Sequence, residues 1–151
     1  MDRIFMAIAT GFGLGYLPKA PGTWGTLLAL PIHAVIVRLP LEQYWIALGA
    51  IFVVAVITAG SAEKIIDHKD PAVVVIDEII GMLVALYLVP AKPLYMILGF
   101  GLFRLFDITK PFPINWVDRR INGGLGIVMD DVIAGIFACV VLQGIIRLLI
   151  L

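Results

Sequence analysis

Cysteine, histidine and charge are all scarce in this sequence. Its one cysteine, Cys139, stands in an apolar run of a 151-residue chain, which excludes an intrachain disulfide and a thiolate metal cluster. Two histidines leave zinc without its usual ligands. Charged residues make up 15% of the chain, against roughly 25% in an ordinary soluble domain. Eleven basic and eleven acidic side chains cancel, so no basic excess points to nucleic acid and no acidic run to a disordered tail. Internal repeats, low-complexity tracts and polar linkers are missing too, so residues 1–151 read as a single domain. What fills the chain is apolar: 62% hydrophobic residues and a mean hydropathy of +1.07. One soluble core of this size cannot hide that much apolar material, and the bilayer is the better solvent.

The apolar stretches divide into an N-terminal segment and about five spans. Ile4 to Leu17 is punctuated by Gly11, Gly13 and Gly15 and is shorter than the ~20 residues a span needs, which predicts an interfacial or re-entrant segment. Spans are expected over Thr23–Leu39, Gln43–Ala62, Asp70–Val89 with Pro71 at the first helical position, Leu94–Ile108, and a fifth opened by Asp130 and Asp131 and running to Leu151. A polar loop carrying Lys110-Pro111, Pro113 and Asn122-Gly-Gly124 precedes that last helix. Arg3, Lys19, Lys64, Lys69, Lys110, Arg119 and Arg120 then fall on one side, and Arg38, Lys92 and Arg147 on the other. The positive-inside bias puts the first group in the cytoplasm.

The charges inside this frame are costly unless paired or bound to an ion. Asp77 and Glu78 are expected inside the third helix. Arg104, Asp107 and Lys110 recur at i, i+3 and i+6 along one side of the fourth, and Asp130 and Asp131 stand at the start of the fifth. All approach the same membrane face. Adjacent carboxylates at low dielectric call for a cation, and oxygen-only ligation suits Mg²⁺, leaving Arg104 and Lys110 to hold an anion such as phosphate. The glycine-rich Gly11–Gly15 and Pro18–Thr26 segment leads into the first span and can offer backbone N–H groups to an anion; within it Lys19, Thr23 and Thr26 are candidate substrate contacts. By composition alone, Asp118, Arg119 and Arg120 read as a solvated loop.

Several long motifs resemble the bacterial phosphatidylglycerophosphatase A family. They are Asp70 with Val75-Ile-Asp-Glu78 and Gly81, Phe103-Arg-Leu-Phe-Asp-Ile-Thr-Lys-Pro-Phe-Pro-Ile114, Asp118-Arg119, and Gly123-Gly-Leu-Gly-Ile-Val-Met-Asp-Asp-Val-Ile-Ala-Gly135. Gly11-Phe-Gly and Ala20-Pro-Gly-Thr-Trp-Gly-Thr26 fit the family's glycine-rich opening. The resemblance implies an all-α, multi-pass protein of the bacterial inner membrane. It implies Mg²⁺-dependent removal of the terminal phosphate from phosphatidylglycerophosphate, giving phosphatidylglycerol. The family's motif residues fall on Asp77, Glu78, Arg104, Asp107, Lys110, Asp130 and Asp131, with Asp70 and Asp118 as secondary matches.

On this basis Asp77, Glu78, Asp130 and Asp131 are expected to hold one or two Mg²⁺ ions, and Arg104 and Lys110 to clamp the phosphoryl oxygens. Asp107 is placed to orient those cations, ligate metal or act as a base. The competing expectation is a small ion or proton transporter that uses Asp77, Glu78 and Arg104 as a relay. Transporters carry such charges near the midplane, often within an internal repeat; here they gather at one face.

Overall fold

The two longest apolar stretches form the two longest helices. The computed structural model describes residues 1–150, whose regular elements are all helical, with no strand among them. Their elements are α1 (Asp2–Ala9), α2 (Pro21–Ile36), α3 (Leu41–Ile66), α4 (Ile76–Ala85), α5 (Pro93–Thr109), α6 (Ile114–Arg120) and α7 (Gly123–Ile150), with a 3-10 turn at Leu14–Tyr16. Prolines at the first helical position open α2 and α5, where a missing N–H leaves no bond unmade. Left-handed residues end α3 at Asp67 and α5 at Lys110.

Among the described residues only α3 and α7 are both long and apolar enough to cross a membrane, with mean hydropathies of 2.1 and 2.3. Of the roughly five spans expected, two are therefore helices of full spanning length. α2 has 16 residues and α5 has 17, so at about 1.5 Å per residue they reach roughly 24 and 26 Å. α4 has 10 residues and reaches only about 15 Å.

The third and fifth helices start elsewhere than the sequence reading placed them. Asp70 does not cap α4; it adopts a left-handed conformation (φ 47°) six residues before the helix begins. Val73, Val74 and Val75 intervene, a β-branched run that disfavours helix. The Val75 N–H donates to the Ala9 carbonyl at 2.9 Å, which ties this segment to the end of α1. Asp77 and Glu78 thus lie in the first turn of α4, not two turns inside a span. Conversely, α7 opens at Gly123, so Asp130 and Asp131 lie two turns inside it and cap nothing. Gly124 accounts for the early start: a Cβ there would collide with the α3 backbone at Val56 and Gly60.

α4 is the buried centre. Ile76, Asp77, Ile79, Ile80, Gly81, Met82, Leu83 and Ala85 are all buried, against α2 on one side and α7 on the other. Because α4 stops halfway, the carbonyls beyond it need donors from other helices. His33 of α2 donates from Nε2 to the Val89 carbonyl at 2.9 Å, and Gln143 of α7 donates to the Tyr87 carbonyl at 2.9 Å. The His33 that the sequence left without a partner is a structural donor.

Candidate functional site

Four elements meet around a cavity of about 230 Å³ at the end of the bundle where α2 and α4 begin and α5 ends. Pro21 and Gly22 of α2, Asp70, Pro71, Ala72 and Val74 of the connecting segment, Asp77 and Glu78 of α4, Asp107 and Lys110, and Asp130 and Asp131 of α7 line it. Six of these residues are carboxylates, faced by Lys110 and by Arg104, which pairs with Asp107. This excess of negative charge in a half-enclosed space calls for a further cation.

Asp77, Glu78 and Asp131 each place one carboxylate oxygen so that the three lie within 4.8 Å of one another. Asp77 is 7% exposed and Asp131 4%, so bulk water cannot solvate these charges. Asp77 Oδ1, Glu78 Oε2 and Asp131 Oδ2 are buried without a hydrogen-bond partner. The positive end of the α4 dipole favours the two carboxylates in its first turn, but it gives these oxygens no hydrogen-bond donor. An all-oxygen set of this spacing fits a hard divalent cation.

Asp130, expected as a fourth ligand, faces a different partner. Lys110 Nζ stands 2.6 Å from Asp130 Oδ2 and 3.2 Å from Asp118 Oδ1, while Asp130 Oδ1 is left unpartnered. Burial pulls the Lys110 ammonium toward losing its proton, but Asp130 and then Asp118 outweigh it and hold the pKa above the usual lysine range. Lys110 therefore stays a cation at neutral pH. Arg104, six residues earlier, donates from one guanidinium nitrogen to Asp107 Oδ2 at 2.6 Å, and the same nitrogen lies 4.0 Å from Glu78 Oε1. Phosphate is the anion for which such a guanidinium and ammonium pair is suited.

The glycine-rich opening contributes space, not side chains. Gly22 touches both halves of the site: a Cβ there would collide with the Glu78 carboxylate and stand 3.0 Å from the Arg104 guanidinium. Lys19, Thr23 and Thr26 are not among the cavity's lining residues. Lys19 is exposed, and the buried Thr26 hydroxyl donates to the Gly22 carbonyl at 2.8 Å inside α2. Sequence reasoning singled out neither Gly22 nor Pro71 as part of the site, and composition read Asp118 as surface. The signal for Asp118 was the family resemblance, in which it is a secondary match.

Comparison with known proteins identifies a family. The family described as phosphatidylglycerophosphatase A matches residues 7–146. Escherichia coli phosphatidylglycerophosphatase A is 35% identical over 143 residues, covering 94% of this chain and 83% of its own. The Haemophilus influenzae protein of the same name is 35% identical over 136 residues, 89% of this chain and 83% of its own. A Bacteroides thetaiotaomicron protein provisionally named a phosphatidylinositol-3-phosphatase is 39% identical over 142 residues, 89% of each chain. No solved structure matches significantly. With the family match running from α1 nearly to the end of α7 and taking in every charged residue of the cavity, the chain belongs to the phosphatidylglycerophosphatase A family.

Proposed function

We propose that this protein hydrolyses the terminal phosphomonoester of phosphatidylglycerophosphate to phosphatidylglycerol and inorganic phosphate, at a Mg²⁺-dependent site built on Asp77, Glu78 and Asp131. The observation that carries the reading is the close grouping of Asp77, Glu78 and Asp131, each with a buried carboxylate oxygen that has no partner, in a cavity that Lys110 also lines and with Arg104 beside Glu78. Family membership supports the reaction and the substrate. The transporter alternative has no comparable support.

A phosphate monoester brings nearly two negative charges into a cavity already rich in carboxylates, so the protein must neutralise it from more than one side. Asp77, Glu78 and Asp131 would hold Mg²⁺, with Asp130 as a further ligand through its unpartnered Oδ1. When bound, that ion supplies Lewis-acid charge to the phosphoryl oxygens and lowers the pKa of water. Arg104 and Lys110 take the remaining phosphoryl oxygens. Asp107 holds the guanidinium in place and is the residue we assign as base toward the attacking water.

We read the chain as a multi-pass protein of the bacterial inner membrane. α3 and α7 cross fully, α2 and α5 nearly so, and α4 with the irregular segment that follows it makes a fifth passage. Lys19, Lys69 and Lys110 lie in the segments next to the helix ends that form the cavity, and Lys64, Arg119 and Arg120 lie in the last turns of α3 and α6; this basic excess favours a cytoplasmic site. A lipid then reaches the carboxylates with its acyl chains still in the bilayer. The test is phosphate release by the purified protein in mixed micelles with Mg²⁺ and with EDTA; ion flux in liposomes without substrate would favour the transporter instead.

A further inference from the structure

Two carboxylates share the Lys110 ammonium, and they come from different elements. Asp130 belongs to α7 and is buried; Asp118 belongs to α6 and is over a third exposed. α6 is held against α7 by Ile114 and Val117, 0% and 6% exposed, and Asp118 follows Val117 directly. Its neighbours Arg119 and Arg120 are exposed, with Arg120 resting over the Trp116 ring at 5.7 Å. One turn of a docked helix therefore carries an acid inward to a cation that lines the cavity.

Resting on the phosphatase reading above, we propose that Asp118 is a positioning residue for that reaction: it holds Lys110 at the cavity so that the ammonium meets the substrate's phosphate, and it touches no substrate itself. Asp130 alone cannot do this. It has one oxygen on Lys110 and the other unpartnered, so any cation drawn to Asp130 competes with the lysine for it. Asp118 keeps Lys110 paired when that happens and stops it collapsing fully onto Asp130. Lys110 ends α5 in a left-handed conformation (φ 40°), so its backbone is not part of a regular helical turn and its side-chain direction depends on these two partners.

The experiment is a kinetic comparison of wild type, Asp118→Asn and Asp118→Glu, with phosphate release from phosphatidylglycerophosphate in mixed micelles. Asp118→Asn is expected to raise KM about tenfold and to change kcat less than about threefold, as for an interaction lost in binding. Asp118→Glu restores KM to within about threefold, which a purely packing role would not produce. A second measurement uses inorganic phosphate as the probe, its affinity read from protection against thermal unfolding. Asp118→Asn should weaken that affinity in the wild-type background and leave it unchanged when Lys110 is already Gln. An unaltered KM, or an equal loss of phosphate affinity in both backgrounds, overturns the inference. If wild type itself releases no phosphate from the lipid, the phosphatase reading fails, and the phosphate-protection cycle still decides whether Asp118 acts through Lys110.

Discussion

Gly81 of α4 and Gly135 of α7 bring two backbones into contact. A Cβ on Gly81 would stand 2.7 Å from the Asp131 carbonyl, and one on Gly135 would collide with the Gly81 carbonyl. Each glycine lies four residues after a carboxylate of the site, Gly81 after Asp77 and Gly135 after Asp131, and is therefore on the same helix face one turn on. The glycine contact sets how far apart the two acids stand.

Replacing either glycine by alanine should push α4 and α7 apart. Gly81→Ala or Gly135→Ala is expected to destabilise the protein by about 1–3 kcal/mol, as overpacking does. Each should also lower kcat in the folded fraction at least tenfold, because the carboxylates separate. Thermal unfolding with kcat per folded molecule checks this; alanine variants of normal stability and activity would place the carboxylates under some other control.

Like charges crowded without a counter-ion predict a stability effect of unusual sign. In EDTA, Asp77→Asn or Asp131→Asn should raise the thermal midpoint, since each removes repulsion among buried acids. With Mg²⁺ the order reverses, because only wild type gains from binding. Turnover by either variant should fall on the order of 10²-fold or more. Differential scanning fluorimetry in both conditions reads the crossover.

At the other end of α4, His33 and Gln143 act on structure alone. His33→Phe or Gln143→Leu should cost about 1–3 kcal/mol by leaving a buried carbonyl unsatisfied. Neither contacts the site, so kcat of the folded variants should match wild type. A variant that lowers kcat with no loss of stability would give this end of the bundle a part in the reaction.

Orientation is open to thiol labelling. Starting from Cys139→Ala, a single cysteine at Lys69 or Asn122 should be modified by an impermeant reagent only from the cytoplasmic side. One at Arg38 or Lys92 should react only from the opposite side. The reverse pattern would move the site to the outer face.

Apolar runs and helix-face spacing carried much of the fold and the site. Leu94–Ile108 lies within α5 and Gln43–Ala62 within α3, because uninterrupted apolar runs have one way to satisfy their backbone in lipid. Arg104 pairs with Asp107 as their spacing indicated, and Asp107 and Lys110 line one cavity. Helix starts were misread where local chemistry offered a plausible cap. Asp70-Pro71 looks like a helix opening, but the Val75 bond to Ala9 holds the next residues out of helix, and a contact 66 residues away leaves no local trace. Asp130-Asp131 looks like a cap too, but Gly124 against Gly60 allows α7 to begin two turns earlier. For the same reason the separation of Asp131, grouped with Asp77 and Glu78, from Asp130, paired with Lys110, is invisible from adjacency in sequence.

The central claim, a lipid phosphomonoesterase dependent on its carboxylate cluster, is tested most directly by inorganic phosphate release from phosphatidylglycerophosphate. The purified protein is assayed in mixed micelles with Mg²⁺ or EDTA, beside Asp77→Asn. Release that needs both Mg²⁺ and Asp77 is the predicted result. Undiminished release in EDTA or from Asp77→Asn, or none from folded wild type, would contradict it.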